Sequence, residues 1–113
     1  KNGLFLRIDD KNNITERAYY VDDLLEGERM LYNRARIKET SFYKNAKLEG
    51  DRKLYYETGN DKLQEEGFFK NGQRHGVSKW YDQEGNVTIE YEYDNGKKIG
   101  DNKAKPIEKK EEK

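Results

Sequence analysis

Between residues 87 and 93, apolar and polar side chains alternate strictly. Val87, Ile89, Tyr91 and Tyr93 are separated by Thr88, Glu90 and Glu92. A period of two marks a β-strand with one face covered. The segment has relatives within the chain. Ile14, Ile37, Leu63 and Val87 each stand six residues before an aromatic: Tyr20, Tyr43, Phe69 and Tyr93. Each aromatic stands seven residues before a glycine: Gly27, Gly50, Gly76 and Gly100. Two spacings kept four times define a tandem array. Aligned on glycine, the units are 3–26, 27–49, 50–75 and 76–99.

Each unit reads as a β-hairpin. Asn12-Asn13 and Gly85-Asn86 supply the positive-φ residues that a tight first turn needs. Asn71-Gly72 and Asn95-Gly96 do the same where one hairpin hands over to the next. The length changes fall in the first turn: the third unit has two extra residues within Gly59-Asn60-Asp61-Lys62, and the second is one shorter at Arg34-Ala35-Arg36. A hairpin absorbs such changes there without a register slip. The first unit is the most eroded, as terminal repeats often are. No helix is expected before residue 100, and the fold class is all-β.

Alternation sorts the side chains onto two faces. One is expected to be the core face, with Ile14, Ala18 and Tyr20, then Ile37, Ser41 and Tyr43, then Leu63, Gly67 and Phe69, then Val87, Tyr91 and Tyr93. Ile8, Tyr32, Tyr55 and Tyr81 join it from the first strands. The small Ala18, Ser41 and Gly67 leave room for a neighbouring group, such as an aromatic. The other face carries Tyr19, Phe42 and Phe68 at equivalent positions, interrupted by Glu92, with Leu31, Leu54 and Trp80 from the first strands and Tyr56 nearby. Tyr19, Phe42, Leu54, Tyr56, Phe68 and Trp80 are therefore the candidate partner-binding residues. If exposed, they form an apolar stripe of a kind monomers seldom leave unused. The alternative is that the sheet curls or dimerises and buries them.

Composition modifies this picture. Only 32% of residues are hydrophobic and 41% are charged, but 23 basic and 23 acidic residues cancel. The expectation is a thin, ordered sheet with much exposed surface. Zero net charge argues against nucleic-acid binding, which needs a basic surface. Residues 27–49 lean basic and 76–99 lean acidic, a dipolar pattern that could orient a partner. There is no cysteine, so thiolate metal sites and disulfides are excluded. No run approaches the ~20 apolar residues of a membrane helix. The tail, 101–113, is mostly Lys and Glu and reads as disordered.

Catalytic chemistry finds no foothold. His75, the single histidine, lies between turn glycines Gly72 and Gly76, with Glu26, Glu49 and Ile99 as its repeat counterparts. The acid pairs Asp9-Asp10, Asp22-Asp23 and Glu65-Glu66 lack the oxygen spacing of a calcium loop. No enzyme activity, metal or cofactor is expected.

The pattern Tyr55-Tyr56-x-x-Gly59, then Leu63-x-x-Glu66-x-x-Phe69-Lys70-Asn71-Gly72-x-x-x-Gly76, resembles the bacterial variant of the MORN repeat. The last unit resembles it equally well, down to Asn95-Gly96-x-x-x-Gly100. Ala46 in place of glycine, and Arg17 and Thr40 in place of Glu66 and Glu90, are departures. The resemblance implies an elongated, twisted antiparallel sheet of about four hairpins. It implies a protein-binding module, of which an antitoxin or immunity partner of a toxin is the leading expectation. An exported envelope protein for surface attachment or invasion is the alternative, and a membrane-lipid scaffold the third. The chain begins at Lys1 rather than Met, which fits a fragment or a product processed from an exported precursor. Cytoplasmic and exported locations both stay open, as do a monomer and a weak end-to-end dimer through an open sheet edge.

Overall fold

A computed structural model describes residues 1–57 and 61–99. The tail lies outside the described residues, as do Gly59 and Asn60 of the segment Gly59-Asn60-Asp61-Lys62 that holds the two extra residues. Twelve strands form one antiparallel sheet: β1 Gly3–Ile8, β2 Ile14–Val21, β3 Leu24–Leu25, β4 Gly27–Asn33, β5 Arg36–Lys44, β6 Lys47–Leu48, β7 Gly50–Tyr55, β8 Leu63–Lys70, β9 Gln73–Arg74, β10 Gly76–Tyr81, β11 Val87–Asp94 and β12 Lys97–Ile99. The order is β1-β2-β4-β5-β7-β8-β10-β11-β12, with β3, β6 and β9 folded back onto β2, β5 and β8. The first strands of the four hairpins begin at Gly3, Gly27, Gly50 and Gly76. The sheet measures 50 × 33 × 14 Å. Fourteen ångströms holds one backbone layer and its side chains, since two packed sheets are already ~10 Å apart backbone to backbone.

The short linking strands turn through two residues each: Asp22-Asp23, Asn45-Ala46, Asn71-Gly72 and Asn95-Gly96, all at positive φ. These turns stitch unit to unit. The N–H groups of Ala46, Gly72 and Gly96 donate to the carbonyls of Leu25, Leu48 and Arg74 in the preceding linker at 2.7–2.9 Å. The N–H of Asn45 donates to Glu26 at 3.0 Å, that of Asn71 to Glu49 at 2.9 Å, and that of Asn95 to His75 Nδ1 at 3.1 Å. His75 is thus a turn acceptor standing where the second and third linkers use Glu26 and Glu49. At the opposite end, Asp9 and Asp82 each accept two backbone N–H groups of their own turn at 2.9 Å.

One feature of the register corrects the face assignment. In every hairpin the second strand carries one residue more than the first, at Thr15, Lys38, Gln64 and Thr88. The pairs run Leu31↔Glu39 and then Tyr32↔Ile37, with equivalent jumps in the other units. Such a β-bulge shifts alternation by one residue. Ile14, Ile37, Leu63 and Val87, with Ile8, Tyr32, Tyr55 and Tyr81, therefore share a face with Tyr19, Phe42 and Phe68, not with Tyr20, Tyr43 and Phe69. Leu31, Leu54 and Trp80 move the other way.

The corrected faces differ in burial. All the buried residues among those described lie on one of them: Glu16, Ala18, Ser41, Gly67, Phe69 and Ser78. This knitted face is held by guanidinium–carboxylate pairs, of which Arg29–Glu16 and Arg52–Glu39 cross from one unit to the next. Arg7 and Arg29 both reach Glu16, at 3.2 and 2.8 Å. Arg52 reaches Glu39 at 3.0 Å, and Arg74 reaches Glu65 at 2.5 Å. Burial alone would raise the Glu16 carboxyl, but hydrogen bonds and charge from Arg29 and Arg7 outweigh it and hold its pKa below the ordinary value. Arg52 and Arg74 also lie over the Phe69 ring, at 5.8 and 5.0 Å. At Gly67 the close neighbours are the Ser78 hydroxyl and the Arg74 guanidinium, not the aromatic that the small residue suggested.

Candidate partner-binding face

The second face is open. Its exposed side chains include Leu4, Leu6, Ile8, Ile14, Tyr19, Val21, Phe42, Phe68 and Val77. Tyr19, Phe42 and Phe68 are 45%, 40% and 41% accessible, so the sheet does not curl over them. They hold corresponding places on β2, β5 and β8, two strands apart. At ~4.8 Å per strand the rings repeat about every 10 Å.

The stripe is not continuously apolar. Glu28 stands directly opposite Phe42, and Asp51 opposite Phe68. Both acids are exposed. Aromatic and carboxylate therefore alternate along the row, which ends at the Val77↔Glu92 pair. The other candidates are not brought to it. Leu54 and Trp80 project from the knitted face, where Trp80 packs edge-to-face on Tyr91 at 5.8 Å and lies 5.3 Å from the Arg74 guanidinium. Tyr56 sits by the first turns and donates its hydroxyl to the Tyr81 carbonyl at 2.7 Å, joining the third and fourth hairpins. The adjacent Tyr81 hydroxyl donates to Glu66 at 2.8 Å. Burial, that hydrogen bond and the charges of Glu66 and Glu90 push the Tyr81 pKa up to about 12.

Two hollows flank the row. One, of about 460 Å³, is lined by Leu4, Leu6, Ile14, Arg17 and Tyr32 among others. The other, of about 310 Å³, lies between the second and third linkers. Among the described residues no group of three or more His, Asp or Glu side chains could hold a metal ion, and no helix is long and apolar enough to cross a membrane.

Sequence reasoning missed the Arg–Glu pairs. A signal was present: Arg29 follows Glu16 by 13 residues, and Arg52 follows Glu39 by the same 13. It also missed Glu28 and Asp51, because first-strand partners of the aromatics are fixed only once the register is known.

The family model described as the MORN repeat variant matches residues 48–71 and 74–95. No curated protein matches the chain. Two solved structures share the fold. One is a mutant S. aureus TarM in complex with Fondaparinux, alpha-GlcNAc-glycerol and UDP, with a TM-score of 0.52 at 14% identity, covering 86% of this chain and 19% of that one. The other is TarM itself, with a TM-score of 0.51 at 13% identity, covering 88% and 19%. The chain thus spans about a fifth of either protein, and the likeness is one of fold alone. MORN repeats are generally protein- or membrane-binding modules. The family model thus identifies the third and fourth hairpins as repeats of the MORN variant type, and the first two hairpins are built on the same register, linker and bulge.

Proposed function

We propose that the chain is a non-catalytic module that binds a protein partner on its open face. The observation that carries this reading is the row of Tyr19, Phe42 and Phe68, all exposed on a face whose opposite side carries the ion pairs that hold the sheet together. Exposed aromatics on a rigid scaffold are the usual anchors of an interface. A broad face with shallow hollows suits stoichiometric capture better than turnover. Within that class, an antitoxin or immunity role, neutralising one partner by covering it, is the reading we favour. Attachment to a surface as an exported envelope protein is the other use of the same face.

The test is a partner isolated with the tagged chain, then titrated calorimetrically against the wild type and against Phe42→Ala and Phe68→Ala. Each variant is expected to weaken binding by about 1–2 kcal/mol or more, as interface aromatics do. A partner that binds both variants as tightly as the wild type sinks the proposal. A toxin-like activity abolished at equimolar ratio supports the immunity reading over the envelope one.

A further inference from the structure

The tight turn between β5 and β6 breaks a rule that the other linkers keep. Its flanking residues, directly opposite each other, are Lys44 and Lys47. The counterparts are Val21↔Leu24, Lys70↔Gln73 and Asp94↔Lys97. Like charges directly opposite on a sheet are destabilising, and here a third cation, Lys70 of the next unit, adjoins them. The three lysines, with Asn45, Asn71 and Glu49, line the hollow of about 310 Å³. Glu49 is the one carboxylate in that lining, and its Oε1 is taken by the Asn71 N–H at 2.9 Å. None of the three ammonium groups has an ion pair among the described residues. All three lysines are exposed.

The hollow adjoins the aromatic row. Phe42 precedes Lys44 by two residues on β5, and Phe68 precedes Lys70 by two on β8, so each ring shares the open face with its lysine. Three unneutralised cations beside two exposed rings match a ligand that is anionic on one side and apolar on the other. We infer that this site takes an acidic segment of the partner protein. Its Asp or Glu side chains would sit among Lys44, Lys47 and Lys70, and an adjoining apolar side chain on Phe42 or Phe68. The inference rests on the open face being the binding face, and it names the chemistry of what binds there. An anionic bilayer shares the charge but not the fit, because Glu28, Asp51, Glu92 and Asp94 lie on the same face and would be pressed against it.

The sister repeats supply substitutions that keep the fold. Lys47→Gln copies Gln73, and Lys44→Val copies Val21. Both remove a like-charge contact, so the melting temperature should hold or rise. The experiment measures fluorescence anisotropy of three labelled twelve-residue peptides: one of Glu-Glu-Leu repeats, one of Lys-Lys-Leu repeats and one of Glu-Glu-Ser repeats. The wild type is expected to bind the first best, and more weakly at 500 mM than at 50 mM salt. Lys47→Gln and Lys44→Val should each weaken it on the order of tenfold, the value of a charge-assisted hydrogen bond. Phe42→Ala should remove the preference for leucine over serine.

Equal binding of all three peptides, or binding indifferent to Lys44 and Lys47, overturns the inference. So does lysine-dependent sedimentation with vesicles of 70% phosphatidylcholine and 30% phosphatidylserine in the absence of peptide binding. If the isolated partner is lost by Phe42→Ala but not by Lys47→Gln, the inference fails while the binding face stands. If neither variant affects the partner, the binding face fails as well.

Discussion

Phe68 and Phe69 are neighbours in sequence and belong to opposite faces, which makes them a direct probe of the one-layer sheet. Phe69 is 6% accessible, lying beneath the guanidinium groups of Arg52 and Arg74. Phe68 is 41% accessible on the open face. Truncating Phe69 to alanine removes its transfer energy, leaves a cavity under the two arginines and forfeits their ring contacts. The expected loss is about 3–5 kcal/mol. For Phe68 roughly six-tenths of a transfer energy of 1.5–3 kcal/mol is at stake, and water fills the space left behind. The expected loss is about 1–2 kcal/mol. Urea unfolding followed by circular dichroism gives both numbers from midpoint shifts at constant slope. The corresponding drops in melting temperature are about 4–8 °C per kcal/mol for a domain of this size. Equal losses at the two positions would refute the reasoning, because they would mean that both faces are covered alike.

Four further outcomes concern the unit junctions. Because the Glu16 pKa is depressed, its contribution is present above the ordinary value of 4.5 and is lost as pH falls through the lower, folded value; Glu16→Gln should lower stability at pH 7 and flatten the acid limb of a pH–stability curve, and an unchanged limb would contradict the assignment. The raised Tyr81 pKa, about 12, works in the opposite sense: its contribution is complete below 10 and is lost as pH rises towards 12. Glu66→Gln should bring that phenol back towards 10, as read by the NMR titration of the Tyr81 ring. A Cβ at position 67 would lie 2.8 Å from Ser78 Oγ and 3.1 Å from Arg74 Nη1, so Gly67→Ala should cost about 1–3 kcal/mol by overpacking. The triple exchange Gly67→Ser, Arg74→Leu and Ser78→Arg rebuilds the junction of Ser41, Leu48 and Arg52, and should unfold within about 1 kcal/mol of the wild type.

The array was legible in the sequence because its punctuation is local. Glycine at the unit starts and the pairs Asn71-Gly72 and Asn95-Gly96 encode turns without reference to distant residues. Face assignment was not, because it depends on a bulge. Three of the four first strands carry two adjacent apolar residues at or near their end: Leu31-Tyr32, Leu54-Tyr55 and Trp80-Tyr81. Strict alternation puts the two on opposite faces without saying which goes where, and only the jump from Leu31↔Glu39 to Tyr32↔Ile37 shows that the tyrosine lies with Phe42. The same counting passed over Glu16, Glu39 and Glu65, which stand between the aliphatic and small positions assigned to the core. Acids are rarely buried unless paired, and their arginine partners lie a strand away. Of the candidate residues, Tyr19, Phe42 and Phe68 share the open face because they precede no bulge, whereas Leu54 and Trp80 abut one.

The pairing on the knitted face bears on which face a partner can use. A sheet 14 Å thick has no second layer to bury against, so arginine stems and guanidinium groups take the place of a core. Glu16 is only 7% accessible and holds two of those groups. A partner that recruited Arg52 would have to strand Glu39, whose side chain is 14% accessible, and one that recruited Arg29 would leave Glu16 to Arg7 alone, each at a cost in stability. The cations of the open face carry no such obligation. Arg17, Lys44, Lys47 and Lys70 make no ion pair among the described residues and can turn outward freely. Sheet cohesion thus commits one face and leaves the other to recognition, so charge reversals should separate by face. Arg52→Glu should unfold the sheet, whereas Lys44→Glu should leave it folded and alter only what it binds.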